Sequence, residues 1–176
     1  MPYGICLKCT NETAAPVTAL WNEAEAFETA PSMRALAYPP HVTLAVYQET
    51  DPALLKDILG RVSDALPAMT LTFSSIGVFE NEPLVLWAKP QPNDALLRLH
   101  AEVHRQIDPA ACHQHYRPGR WAPHCTIAMN VPRAVSAAAM RWAGERRIEF
   151  SVTFDVLDCV RFPPVEILEE RRLAGA

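Results

Sequence analysis

Hydrophobic and polar positions change their period repeatedly along the chain, which predicts strands interspersed with helices. Alternating or β-branched runs predict strands at residues 3–9, 41–47, 70–79, 84–89, 124–131, 148–161 and 165–170. Apolar residues at three- to four-residue spacing predict helices at residues 13–28, 51–66, 93–107 and 132–145. Two segments rich in proline and polar residues, 31–40 and 108–123, are expected to be connectors.

The order of these elements indicates an internal repeat. After residue 40, the series strand, helix, strand, proline turn, strand occurs twice. The matching segments are 38–45 (YPPHVTLA) with 121–128 (WAPHCTIA) at an offset of 83, then 72–73 with 153–154 and 83–86 with 164–167 at an offset of 81. We therefore expect one α+β domain over residues 1–176, with two similar lobes (about 38–90 and 121–170) related by a pseudo-two-fold axis. Each lobe should carry a mainly antiparallel sheet with helices outside, around a central cleft.

Each repeat places a histidine and a threonine two positions apart on a strand. Because side chains alternate faces with period two, His41 and Thr43 should share one face, as should His124 and Thr126. Two facing lobes would gather two imidazoles and two hydroxyls in one cleft. A neutral histidine can take a proton from water while a protonated one gives a proton to a leaving oxygen. The hydroxyls can donate hydrogen bonds to a phosphoryl group.

These duplicated motifs, HVTL at residues 41–44 and HCTI at 124–127, resemble those of the 2H phosphoesterase superfamily. The similarity is greatest to its 2′-5′ RNA ligase-like and cyclic phosphodiesterase branches, and it covers nearly the whole chain. The resemblance implies a bilobal fold and metal-free, cofactor-free hydrolysis of 2′,3′-cyclic phosphates of nucleotides or RNA ends to 2′-phosphates. The same family contains RNA ligases, 2′-5′ phosphodiesterases and non-catalytic nucleotide-binding modules, so those alternatives stay open.

Amino-acid composition limits the kinds of ligand and the cellular location that we expect. The chain has 176 residues, with 16 basic and 20 acidic side chains and a net charge of −4. That balance disfavours DNA or long RNA but permits a small cyclic nucleotide or an RNA terminus. No apolar run is long enough for a membrane span and the start has no signal-peptide pattern. Five cysteines without framework spacing favour free thiols and a cytoplasmic location. We expect a monomer.

Three further residues are candidates for substrate binding. Arg120 lies next to the second motif, where a cation could contact phosphate. Tyr38 and Trp121 occupy equivalent places in the repeat and could stack on a base, although packing between loop and sheet is the alternative. Arg34 and Arg117 also lie in loops before the motifs, where solvated loop cations are the simpler interpretation.

Other spacings superficially suggest metal ligands. His100 and His104 stand at i and i+4 on a predicted helix, but the glutamate of a metalloprotease motif is displaced, so a solvated helix face is expected. The Cys112–His115 segment and the Cys6–Cys9 pair lack further convincing ligands. The sequence therefore predicts no metal site.

Overall fold

A computed structural model describes residues 1–64 and 66–175. Its strands are β1 (Tyr3–Lys8), β2 (His41–Tyr47), β3 (Met69–Phe79), β4 (Leu84–Pro90), β5 (Cys125–Val131), β6 (Phe150–Phe154), β7 (Val156–Arg161) and β8 (Glu166–Arg172). Its α-helices are α1 (Ala15–Ala24), α2 (Ser32–Ala35), α3 (Pro52–Ser63), α4 (Asp94–Gln106) and α5 (Arg133–Glu145). Helices and antiparallel strands are thus mixed as expected, and the α+β class is confirmed.

All the strands belong to one sheet in the order β6-β3-β4-β5-β2-β1-β7-β8. Every neighbouring pair is antiparallel. The middle of the sheet is its weakest seam, because β2 and β5 share the single residue pair Val42–Cys125. The seam divides the sheet into two four-stranded halves and brings the two motif-bearing strands side by side.

The two repeats are interleaved between these halves. Strand β2 comes from the first repeat but pairs with β1, while β3 and β4 of the same repeat lie across the seam with β5. Strands β7 and β8 of the second repeat complete the half that contains β2. The expectation that each repeat builds its own sheet is therefore wrong. Periodicity indicates which residues form strands, but it does not indicate which strands pair.

Helices cover the face of the sheet opposite the polar motif positions. Helix α3 packs on β1, β7 and β8, α4 on β2, and α1 and α5 on the half that contains β5. Val42, Leu44, Cys125 and Ile127 point into this core and are at most 1% exposed. Burying such side chains contributes roughly 1.5–3 kcal/mol each, which fixes the register of the motif strands.

Local capping signals account for the starts of α3 and α4, where Asp51 and Asn93 are the N-caps. Asp51 caps α3 by accepting a hydrogen bond from the Ala53 amide at 2.9 Å, and Pro52 occupies the first turn. Three predicted elements are corrected in detail. The helix predicted at 13–28 is α1 flanked by short 3-10 turns, the 31–40 connector contains α2, and the strand predicted at 148–161 is divided at Asp155.

Asp155 interrupts that strand, and its side chain accepts hydrogen bonds from the segment just after β1. Its carboxylate accepts hydrogen bonds from the Thr10 amide at 2.7 Å and the Thr10 hydroxyl at 2.6 Å. Burial by itself would raise the pKa of the Asp155 carboxyl, but the hydrogen bonds that it accepts outweigh this effect and lower that pKa. Asp155 thereby ties the end of β1 to the junction between β6 and β7.

Candidate active site

The paired strands β2 and β5 bring the two His-x-Thr motifs together. Their antiparallel register pairs Val42 with Cys125, which puts His41 opposite Thr126 and Thr43 opposite His124. These four side chains are half-buried on the face opposite the helices, while the residues between them are buried. Side chains directly opposite on antiparallel strands have Cβ atoms about 4.5–5.5 Å apart. The fold therefore forms one polar patch from both repeats.

Each imidazole is oriented by a hydrogen bond from its Nδ1 atom to the main-chain carbonyl two residues earlier. The Nδ1 atom of His41 donates a hydrogen bond to the carbonyl oxygen of Pro39 at 2.9 Å. The Nδ1 atom of His124 donates to the carbonyl oxygen of Ala122 at 2.7 Å. Because a carbonyl only accepts, each neutral ring carries its hydrogen on Nδ1 and keeps a lone pair on Nε2. Two equivalent nitrogens are therefore available for proton transfer.

Burial favours the neutral form of both rings. Desolvation, with smaller repulsion from His124 and Lys8, lowers the pKa of His41 to about 4. Desolvation also lowers the pKa of His124. Near neutral pH either ring can accept a proton. A bound phosphodiester anion would favour the charged form of a nearby imidazole, which one ring needs in order to act as an acid.

The two histidines have different neighbours. His41 meets the ring of Tyr38 in an edge contact, with centroids 4.8 Å apart. His124 meets the rings of Phe79 and Trp87 in edge contacts, with centroids at 5.1 Å and 5.9 Å. Phe79 and Trp87 stack on each other at 4.8 Å. Nothing in the sequence singled out this aromatic pair, because the hairpin that carries it reaches His124 only through sheet pairing.

Tyr38 is not available as a stacking surface for a base. It is only 6% exposed, and its hydroxyl donates to both carboxylate oxygens of Asp158 at 2.7 Å and 2.8 Å. The Nζ atom of Lys8 lies 2.8 Å from the same carboxylate, and both charged groups are buried. The substrate-stacking prediction for Tyr38 is therefore corrected, because the residue links His41 to a buried ion pair.

Two tryptophans support the threonine positions. The Nε1 atom of Trp121 donates a hydrogen bond to the main-chain carbonyl of Thr43 at 3.0 Å. The Nε1 atom of Trp21 donates in the same way to the carbonyl of Thr126, also at 3.0 Å. One face of the Trp121 indole is already stacked on His100, with centroids 4.0 Å apart. Contact between Trp121 and substrate stays a prediction, whereas its support of β2 is part of the fold.

His100 and His104 do not form a solvated helix face, so that expectation is wrong. Each is 5% exposed, because α4 packs on β2 and the loop at residues 108–123 covers it. The Nε2 atom of His100 lies 2.8 Å from the Tyr116 carbonyl, and that of His104 lies 3.4 Å from the Leu44 carbonyl. Within the described residues, no group of three or more histidine, cysteine or acidic side chains could hold a metal ion.

The loop arginines have separate environments. Arg120 is exposed and lines a cavity of about 340 Å³ that also contacts His124 and Thr126. Arg117 instead braces its own loop, donating to the carbonyls of Cys112 and Ala110 at 2.8 Å each. Arg34 forms a salt bridge with Glu25 at 2.7 Å. Arg120 is therefore the arginine that the fold brings to the candidate site.

The cavity beside His124 also contains residues that the sequence did not indicate as substrate-binding. Its remaining lining residues are Phe79, Asn81, Val85, His113, His115, Tyr116, Ala122 and Met129. They come from the β3–β4 hairpin, the loop before β5, and β5 itself. Such residues are distant in sequence, and their convergence depends on the pairing of β4 with β5.

Known proteins similar to this chain support the observed fold. A Geobacillus sp. (strain WCH70) protein, provisionally named a phosphoesterase, is 30% identical over 123 residues, which cover 66% of this chain and 66% of that protein. Structures of TT0787 from Thermus thermophilus and of E. coli LigT complexed with 3′-AMP each give a TM-score of 0.67 at 19% identity. Both alignments cover 99% of this chain, with 99% of TT0787 and 100% of LigT. At that identity the two structures support the fold alone.

The family assignment depends on a family model that matches most of the chain. The model of the 2′-5′ RNA ligase superfamily matches residues 16–163. This span includes both His-x-Thr motifs, the cavity loop and the strands that carry them. The chain therefore belongs to the 2′-5′ RNA ligase superfamily of 2H phosphoesterases.

Proposed function

We propose that the protein is a metal-independent phosphodiesterase that hydrolyses 2′,3′-cyclic phosphates of nucleotides or RNA ends to 2′-phosphates. The observation that carries this proposal is the crossed placement of the motifs. Each histidine stands opposite the threonine of the other motif, and each ring keeps Nε2 free of the main-chain hydrogen bond made by Nδ1.

The reaction uses these groups as a matched pair. One neutral imidazole takes a proton at Nε2 from a water molecule, whose oxygen forms a new bond to phosphorus. The bond from phosphorus to the 3′ oxygen breaks, and the other imidazole, in its protonated form, gives its Nε2 proton to that oxygen. The hydroxyls of Thr43 and Thr126 donate hydrogen bonds to the non-bridging oxygens as their charge grows. Atoms and protons balance without another reactant.

Several features support a small substrate. The net charge of −4 disfavours a long polyanion, whereas the cavity at His124 suits a group of nucleotide size. Crystal structures of the related LigT hold 3′-AMP, ATP, NADP+ and phosphate. Because both repeats contribute to one site, we infer that residues 1–176 act as one catalytic domain and that a monomer suffices.

The proposed function also includes a location in the cell. None of the helices in the described part of the chain is long and apolar enough to cross a membrane. The five cysteines are free thiols and all of them are buried. Free thiols suit a reducing compartment, and we propose that the protein acts in the cytoplasm.

The test is a panel of the four nucleoside 2′,3′-cyclic phosphates, assayed in EDTA with 2′- and 3′-phosphate products separated. We expect turnover to 2′-phosphates. His41→Asn and His124→Asn should each lower kcat about 10²–10⁴-fold, with circular dichroism showing an intact fold. Thr43→Val should lower kcat, whereas the matched control Thr70→Val, on an exposed strand position, should not. Full activity in either histidine variant would contradict the mechanism.

A second candidate function follows from the family match itself. The same acid and base could join or cleave 2′-5′ linkages in RNA, the reaction for which the superfamily is named. Incubation with a 2′-5′-linked dinucleotide, and separately with RNA halves bearing cyclic-phosphate and 5′-hydroxyl ends, separates the candidates. Turnover of these RNAs at rates above those of cyclic mononucleotides would favour the RNA activity. Tight nucleotide binding without any product would instead indicate a binding module.

A further inference from the structure

The cavity beside His124 has an unusual composition for an acidic protein. Arg120, His113 and His115 line it together with His124 and Thr126, and none of its described lining residues is acidic. Acidic side chains outnumber basic ones in the whole chain, 20 to 16. A cavity with cationic and imidazole groups and without carboxylates is suited to an anion.

These groups keep donors available for a ligand. Arg120 takes part in none of the salt bridges formed by the described residues. The Nδ1 atom of His113 is buried and lacks a hydrogen-bond partner among the described residues. The rings of His113 and His115 stack with centroids 5.1 Å apart. A buried polar atom without a partner is costly, so the His113 ring is not committed to another group of the protein.

The loop that carries these groups is fixed by main-chain contacts. The amide of His113 donates to the Val46 carbonyl at 2.7 Å. The Tyr116 carbonyl accepts from His100, and Arg117 bonds two carbonyls of the same loop. A loop held in this way can present a preformed site, which reduces the entropy cost of binding.

The size of the cavity limits what can occupy it. Small-molecule sites measure roughly 300–1,000 Å³, and this cavity of about 340 Å³ suits a single nucleotide. Phe79, Tyr116 and Met129 supply apolar contacts for a base or ribose. A nucleotide carries its 5′-phosphate and its 2′,3′-cyclic phosphate on opposite sides of the ribose. A cyclic phosphate at His124 therefore leaves the 5′ group to reach other residues of the cavity.

We propose that Arg120, His113 and His115 form a subsite for the 5′-phosphate of a nucleoside 2′,3′-cyclic phosphate. The inference rests on the proposed function and narrows its substrate to one with a second anionic group. That group can be the monoester of a free nucleotide or the internucleotide phosphate of an RNA end. Both present anionic oxygens to a guanidinium and two imidazole donors.

The test compares three substrates that share adenosine 2′,3′-cyclic phosphate: the unmodified nucleotide, its 5′-phosphorylated form, and the dinucleotide ApA with a terminal cyclic phosphate. Charge-assisted hydrogen bonds predict a gain in kcat/KM of about ten- to hundredfold for a 5′-phosphate. If kcat/KM rises only for the 5′-phosphorylated nucleotide, the substrate is a free nucleotide. If kcat/KM rises only for the dinucleotide, the substrate is an RNA end. Equal kcat/KM for all three would overturn the proposal.

Variants assign the gain to this subsite. Arg120→Gln should reduce the ratio of kcat/KM between 5′-phosphorylated and unmodified substrates to near one, and His115→Ala should lower it in part. Arg98→Gln removes an exposed arginine from α4, beside a different cavity, and should leave the ratio unchanged. A gain that persists in the Arg120 variant would overturn the proposal.

If no cyclic phosphate is turned over, the proposed function is refuted. The subsite can still be tested separately by measuring binding. Calorimetric titration would compare adenosine 2′,5′-bisphosphate with adenosine 2′-phosphate. Tighter binding of the bisphosphate by about tenfold or more, lost in Arg120→Gln, supports the subsite. Equal affinities overturn it.

Discussion

The indole Nε1 of Trp121 donates a hydrogen bond to the carbonyl oxygen of Thr43 at 3.0 Å. Its counterpart across the seam is Trp21, which contacts the carbonyl of Thr126 at the same distance. Strands β2 and β5 share only one residue pair, so these carbonyls lie where the ladder between the two strands is interrupted. The two indoles supply donors there and hold both threonines in place.

Replacement of either indole by phenylalanine should impair catalysis. Trp121→Phe and Trp21→Phe keep an aromatic ring but leave a threonine carbonyl unpaired, which costs roughly 1–3 kcal/mol when the carbonyl is buried. We expect kcat for cyclic phosphates to fall several-fold with a small change in KM, because the threonine is displaced relative to phosphate. Steady-state kinetics on each variant measures the effect.

A third tryptophan provides the control for these variants. Trp142 packs against Phe27, with centroids 5.6 Å apart, away from the seam. Trp142→Phe should change stability without changing kcat. Equal losses of kcat in all three variants would show that the indole bonds have no special role.

The buried pair Lys8–Asp158 beneath Tyr38 should be important for stability. Lys8→Met leaves the Asp158 carboxylate buried without its cation, a change that typically costs about 3–5 kcal/mol. Urea unfolding measures the loss, and Lys8→Met/Asp158→Asn should regain most of it, because the amide is neutral and still accepts from Tyr38. The surface pair Arg146–Glu23 is partly exposed, so Arg146→Gln should have little effect.

The activity should be greatest on the acidic side of the ordinary histidine range. Burial lowers the pKa of His41 to about 4 and also lowers that of His124. The general acid must be protonated, so kcat/KM should decline as pH rises above the lowered pKa of that ring. A pH profile of kcat/KM should peak below about 6.5, the ordinary histidine pKa. A peak above about pH 7 would contradict this expectation.

Buried His100 should make the fold sensitive to acid. Burial lowers its pKa to about 4, whereas the unfolded chain has a pKa near 6.5. The unfolded state therefore binds the proton first, and stability that is complete above about 6.5 is lost as pH falls towards about 4, by up to about 3 kcal/mol. Thermal unfolding of His100→Gln should depend less on pH over this interval. Identical pH dependence in both proteins would contradict the prediction.

Much of the candidate site could be predicted because its signal is local and duplicated. The His-x-Thr spacing fixes a shared face within each strand, and its repetition in a second strand distinguished it from an ordinary polar position. The predictions for Tyr38 and for the pair His100 and His104 are wrong for the opposite reason. Their burial depends on Asp158 and on the 108–123 loop, which are distant in sequence and carry no local signal.

Thus the sequence by itself predicts most of the strands and helices, the two motifs and the family resemblance, because periodicity, capping and spacing are properties of neighbouring residues. The tertiary structure decided the rest. Sheet pairing interleaves the two repeats. It also places His41 opposite Thr126 and Thr43 opposite His124. The tertiary fold brings Phe79 and Arg120 to the same cavity. These relationships depend on contacts between distant segments, which hydrophobic burial and strand register select together.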